Sequence, residues 1–94
     1  MIKHVVCYKL IDKNDADAVR STLLSLDGKV ATLKSIEVGK NFLESERSFD
    51  LVLITVFDDR DGFEEYRTDA YHTGVVMPFV RSHVEKSVSV DFEF

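Results

Sequence analysis

Phe49-Asp-Leu-Val-Leu-Ile-Thr-Val-Phe57 reads as a strand with two apolar faces. Side chains alternate along a strand, so Phe49, Leu51, Leu53, Thr55 and Phe57 share one face, and Val52, Ile54 and Val56 the other. A sheet built around such a strand must hide both sides from water. A chain of 94 residues has material for helices on one side only. The second side therefore calls for another subunit, a ligand, or both.

The same pattern extends in both directions along the chain. Upstream, Ile2 to Ile11 forms a first strand with Ile2, His4, Val6, Tyr8 and Leu10 on one face and Val5, Cys7 and Ile11 on the other. Asp12 to Asp15 supplies turn and cap residues. Val19, Leu23, Leu26 and Val30 then recur at helical spacing, and Gly28 is placed to end that helix. Ser35 to Leu43 reads as a second strand, with Gly39 marking a bulge or a close backbone approach. Glu44 to Ser48 turns the chain into Phe49–Phe57. Downstream, the acidic run Asp58-Asp-Arg-Asp61 suits the exposed N–H groups at the start of a second helix carrying Phe63, Tyr66 and Ala70. Pro78 predicts a helix that ends, or kinks, near Met77. Val84 to Phe94 alternates as a last strand. The order β-α-β-β-α-β predicts one α+β domain over residues 1–94: a ferredoxin-like, four-stranded antiparallel sheet with helices on one face.

Composition excludes several functions. Hydrophobic residues make up 45% and charged residues 31%, as in a globular protein. The net charge is −5 with no basic run, which argues against nucleic acid and against an anionic membrane surface. No stretch approaches the roughly 20 apolar residues that span a bilayer. The start, Met-Ile-Lys-His, lacks the pattern of a signal peptide, so the expected location is the cytoplasm. The single cysteine, Cys7, reads as a small hydrophobe within a strand. No cluster of metal ligands, phosphate loop, nucleophile elbow or dinucleotide fingerprint is present, and no metal or cofactor is expected.

With helices on one side, the sheet's other face is expected to carry His4, Val6 and Tyr8. Left in water, it would form an apolar patch larger than monomers usually show. A symmetric homodimer, sheet against sheet, covers it and can enclose a cavity for a small, partly apolar molecule. Among polar residues, His4 sits in an apolar strand, where a buried imidazole needs a partner. Tyr66 and His72 straddle the end of the second helix. Histidine suits a general base near neutral pH, and a tyrosine hydroxyl can hold a developing enolate.

The opening Ile2-Lys-His-Val-Val with Lys9-Leu10 after it, Glu37-Val-Gly-Lys-Asn41, Phe49-Asp-Leu-Val-Leu53, then Phe57, Tyr66, His72 and a closing Val90-Asp-Phe92 resemble the stress-responsive dimeric α/β-barrel (Dabb) domains over nearly the whole chain. That resemblance implies a homodimer whose sheets form a barrel. The family includes plant boiling-stable stress proteins and a cofactor-free polyketide cyclase, olivetolic acid cyclase. In the cyclase a tyrosine and a histidine run an aldol condensation. The resemblance places these at Tyr66 and His72, with His4 as a supporting histidine. It departs from the family at Asp69-Ala70, where His-Pro is common, and at Leu51, where the cyclase has a further pocket histidine. The expected site is thus His72 and Tyr66 as catalytic pair, with His4, Val6, Tyr8, Leu51 and Phe92 lining the substrate. Two other expectations stand beside it: a non-catalytic dimer whose cavity is filled by Tyr8, Phe92 and Phe94, and a cofactor-independent monooxygenase.

Overall fold

The computed structural model describes residues 1–94. Strand β1 (Ile2–Leu10) is followed by helix α1 (Ala16–Leu24), strands β2 (Ser35–Lys40) and β3 (Leu51–Phe57), helices α2 (Arg60–Thr68) and α3 (Met77–His83), and strand β4 (Val84–Glu93). All strand pairs are antiparallel, in the order β2-β3-β1-β4. This is the ferredoxin-like architecture, with every helix on one side of the sheet.

Local chemistry sets the element boundaries. The Asp12 side chain accepts from the Asn14 N–H at 2.9 Å and caps the 3-10 turn Lys13–Asp15 that leads into α1, and Asp59 Oδ1 accepts from the Gly62 N–H at 2.8 Å and caps α2. Gly28 has φ 78°, a left-handed conformation that suits glycine, in the turn after α1. Gly39 stands opposite Val52 in an unbroken register, so there is no bulge. A Cβ there would lie 3.2 Å from Val52 Cγ1, and a close approach explains the glycine. Phe49 and Asp50 lie just outside the regular β3. Asp50 still fixes the strand start: its N–H donates to Tyr8 O at 2.8 Å and its carboxylate accepts from the Leu10 N–H at 2.8 Å. β2 stops at Lys40, three residues short of the expected end at Leu43, because Asn41 Nδ2 and Ser48 Oγ both turn back to Leu43 O.

Pro78 does not end a helix; it sits in the first turn of α3, where its missing N–H costs little. One turn of π-helix, His72–Val76, leads into it, and the Met77 N–H donates to His72 O five residues back. The wider turn accommodates the ring that an α-helical turn would clash with.

The faces differ from expectation. Ile2, Val6, Tyr8 and Leu10 are buried together with Leu51, Leu53, Thr55 and Phe57, beneath Val19 and Leu23 of α1, Tyr66 of α2 and Val80 of α3. His4, Val6 and Tyr8 therefore point under the helices, not out toward a partner. The reason is the alternate row of β1, which contains Lys3 and Lys9. A helix over that row would strip water from two ammonium groups. The outer face carries Val5, Cys7, Val52, Ile54 and Val56, flanked in register by Val88, Val90 and Phe92 of β4, which are 55%, 65% and 43% exposed.

Candidate functional site

A cavity of about 410 Å³ opens between the helices and the β1–β4 half of the sheet. It exists because α1 and α2 pack over β2 and β3, while the inner row of β4 is left uncovered. In the ladder, His4 faces Asp91, Val6 faces Ser89, and Tyr8 faces Ser87. These six residues form the floor. Phe63, Tyr66 and Arg67 of α2, with His72 and Met77, form the roof, and Leu53 closes the inner end.

Tyr66 is the anchor of the roof. Its ring is 1% exposed and packs 5.0 Å from Phe57, 6.3 Å from His4 and 4.3 Å from His72, measured between ring centroids. Its phenol has no hydrogen-bond partner in the protein, yet it is not sealed from solvent, since the only sealed unpartnered side-chain oxygen is that of Thr55. Burial, with a contribution from Tyr8, raises the Tyr66 pKa, so the hydroxyl stays protonated and acts as a donor.

His72 is placed by the break between α2 and the following helix. Asp69 ends α2 in extended conformation, and its Oδ1 accepts from the backbone N–H groups of Tyr71 (2.8 Å) and His72 (3.2 Å). The imidazole Nδ1 lies 3.3 Å from Arg67 O. A carbonyl can only accept, so Nδ1 carries the proton and Nε2 is left bare. Burial lowers the His72 pKa, outweighing the Arg67 carbonyl, which raises it; His4 lowers it further. The group is a neutral base at physiological pH.

His4 repeats the arrangement on the floor. Its Nδ1 is bonded to Asp91 Oδ1, which places a proton on Nδ1 and fixes the ring's orientation, and the ring lies 5.0 Å from Phe63. Tyr8 lines the same cavity with its pKa pushed up to about 12 by burial. The arrangement offers two phenol donors and two imidazoles around one space. That set can take a proton from carbon and hold the oxygen that becomes negative. No three His, Cys, Asp or Glu side chains gather where a metal could bind.

The structure brings Tyr66, His72, His4, Val6 and Tyr8 into one cavity. It keeps Leu51 and Phe92 apart from it. Leu51 pairs with Tyr8 in the ladder but is 2% exposed, sealed in the core beyond the cavity wall. Phe92 stands opposite Lys3 on the outer face, because strand alternation puts it on the side away from Asp91. Sequence reasoning missed Asp91, Ser87 and Ser89. Their signal was the β1–β4 register: they are the polar row of an edge strand, and such a row reads as solvent-facing unless its partner row is known.

Comparison with known families finds the Stress responsive A/B Barrel Domain (Dabb) model matching residues 2–94. Among solved structures, a dimeric protein of unknown function with a ferredoxin-like fold from Bacteroides fragilis is 26% identical, with TM-score 0.84 over 99% of this chain and 95% of that one. A Dabb family protein with a ferredoxin-like fold from Mesorhizobium loti is 16% identical, with TM-score 0.79 over 99% and 95%. SnoaB, a cofactor-independent oxygenase from Streptomyces nogalater, shares the fold at 13% identity, with TM-score 0.76 over 99% and 91%. Comparison with curated proteins finds no match. The chain belongs to the stress-responsive A/B barrel (Dabb) domain family.

Proposed function

We propose that this protein is a homodimer in which each protomer binds a small, partly apolar carbonyl compound in its helix-side cavity and performs cofactor-free acid/base chemistry on it. The observation that carries this reading is the Tyr66–His72 pair, 4.3 Å between ring centroids, with the imidazole tautomer set by Arg67 O. His72 Nε2 takes a proton from the carbon beside the carbonyl. The C–H electron pair moves into the carbonyl, and the Tyr66 hydroxyl donates to the enolate oxygen. The enolate carbon then forms a C–C bond with a second carbonyl, and the imidazolium returns its proton to the resulting alkoxide. His4, held by Asp91, supports the pocket. The dimer is supported by the apolar outer face and by the dimeric Bacteroides fragilis relative.

The test is deuterium exchange at the α-carbons of octan-2-one in D2O, followed by proton NMR. Protein above the buffer rate is expected, with His72→Ala lowering the acceleration by about 10²-fold or more. Equal exchange by the variant removes His72 as the base. No exchange by the wild-type protein favours a purely binding or structural dimer.

A further inference from the structure

One polar group of the core is left over. Thr55 is 0% exposed, and its hydroxyl is sealed with no hydrogen-bond partner. A buried hydroxyl without a partner keeps the full cost of its lost hydration, a cost that a valine of the same shape would not carry. Its place in the sheet gives a reason. Ile36, Thr55, His4 and Asp91 stand side by side on β2, β3, β1 and β4, one residue of each strand. His4 thus has a carboxylate on one side and the orphaned hydroxyl on the other. Its Nδ1 is turned to Asp91, so the opposite ring edge, Cδ2, is turned to β3 and offers Thr55 only a C–H.

A half-turn about Cβ–Cγ exchanges Nδ1 with Cδ2 and leaves the ring in its plane. The contacts with Phe63 (5.0 Å) and Tyr66 (6.3 Å) are then kept. This torsion is broad and two-fold for histidine, so both orientations are natural ones. Directly opposed residues of an antiparallel pair hold their Cβ atoms about 4.5–5.5 Å apart, which a turned Nδ1–H spans to the Thr55 oxygen. The exchange gives up a charge-assisted bond and provides the Thr55 oxygen with a partner. The Asp91 side chain is 44% exposed, so water takes over the bond that it loses.

We propose that Thr55 is a positioning residue that gives His4 a second seat: Nδ1–H donates to Asp91 in the present orientation, and to Thr55 Oγ1 after the half-turn. The two seats set two states of the cavity. In the first, the Asp91 carboxylate is held by the imidazole. In the second it stands free in the cavity wall, open to a bound hydrogen-bond donor, while His4 keeps its proton on Nδ1. A ligand that engages Asp91 thereby moves the ring to Thr55.

The test needs no ligand, so its outcome is separate from that of the carbonyl chemistry above. In the wild-type protein His4 Hδ2 is expected to show an NOE to the Thr55 methyl group. Asp91→Ala removes the first seat: that NOE is expected to fall severalfold, with the proton retained on Nδ1 of the neutral ring in 15N NMR. Adding Thr55→Val is expected to abolish the Nδ1 preference, and adding Thr55→Ser instead, which restores a hydroxyl, to keep it. A merely structural threonine would change the Tm in these variants and leave the ring nitrogens alike. If Asp91→Ala does not fold, relaxation dispersion at His4 Cδ2 reads the same exchange with Asp91 intact, and it is expected to vanish in Thr55→Val and persist in Thr55→Ser. An NOE that survives Asp91→Ala, an Nδ1 preference indifferent to Thr55→Val, or ring exchange that is absent or unaltered by Thr55→Val where Asp91→Ala does not fold, overturns the second seat.

Discussion

The Tyr66 hydroxyl ends a ring that is 1% exposed and makes no hydrogen bond within the protein. Its removal should therefore separate function from stability. Tyr66→Phe is expected to change unfolding free energy by less than ~1 kcal/mol, since no internal partner is orphaned, while α-proton exchange falls about 10²-fold. Urea denaturation and the exchange assay read the two effects. His72 adds a pH signature. Its pKa is lowered from 6.5, chiefly by burial, so the folded protein binds its proton less readily than the unfolded chain. The associated stability is complete above pH 6.5 and is lost as pH falls through the lowered pKa. Exchange should follow the same side: a plateau at neutral pH and a decline in acid. Loss of activity toward alkaline pH instead would point to a protonated imidazole as the active form. Asp91→Asn is expected to leave the fold intact and to weaken the hold on the His4 tautomer, seen as a changed His4 ring-nitrogen shift in 15N NMR.

Between elements, the site depends on the interruption after α2. Asp69 accepts from two backbone N–H groups, one of them that of His72, and the π turn that begins there sets the direction of the imidazole. Asp69→Ala is expected to destabilise by about 1 kcal/mol, as for a lost helix cap, and to lower exchange by more than that loss explains. A fall in stability with unaltered exchange would show that Asp69 only caps. This segment was poorly legible in sequence, because Pro78 looks like a stop and a π turn has no propensity signature. The strands were legible: Leu51–Phe57 and Val84–Glu93 follow from apolar alternation. Which face of β1 the helices choose was not. Both rows are largely apolar, and the deciding feature is Lys3 and Lys9 on one of them. The β1–β4 register was not legible either: it pairs His4 with Asp91 and Lys3 with Phe92, which sets Phe92 on the face away from the cavity. Tyr66, His72 and His4 stood out regardless, as polar groups among apolar neighbours.

At the scale of the molecule, two surfaces divide the work. No helix is long and apolar enough to cross a membrane. The outer face of the sheet carries Val5, Ile54, Val88 and Val90. Each large side chain it covers is worth roughly 1.5–3 kcal/mol, ample for a self-complementary interface. Ile54→Lys, at the middle of that face, is expected to give a monomer in light scattering after size exclusion, because the ammonium would be buried without a partner. A dimer that survives it would place the interface elsewhere. The central claim is that the ligand enters beneath the helices of one protomer and not between two sheets. The most direct measurement is the set of intermolecular NOEs from bound octan-2-one to the methyl groups of the protein. Contacts to Val6, Leu53 and Met77 are the expected result; contacts to Val5, Val88 and Val90 would contradict it.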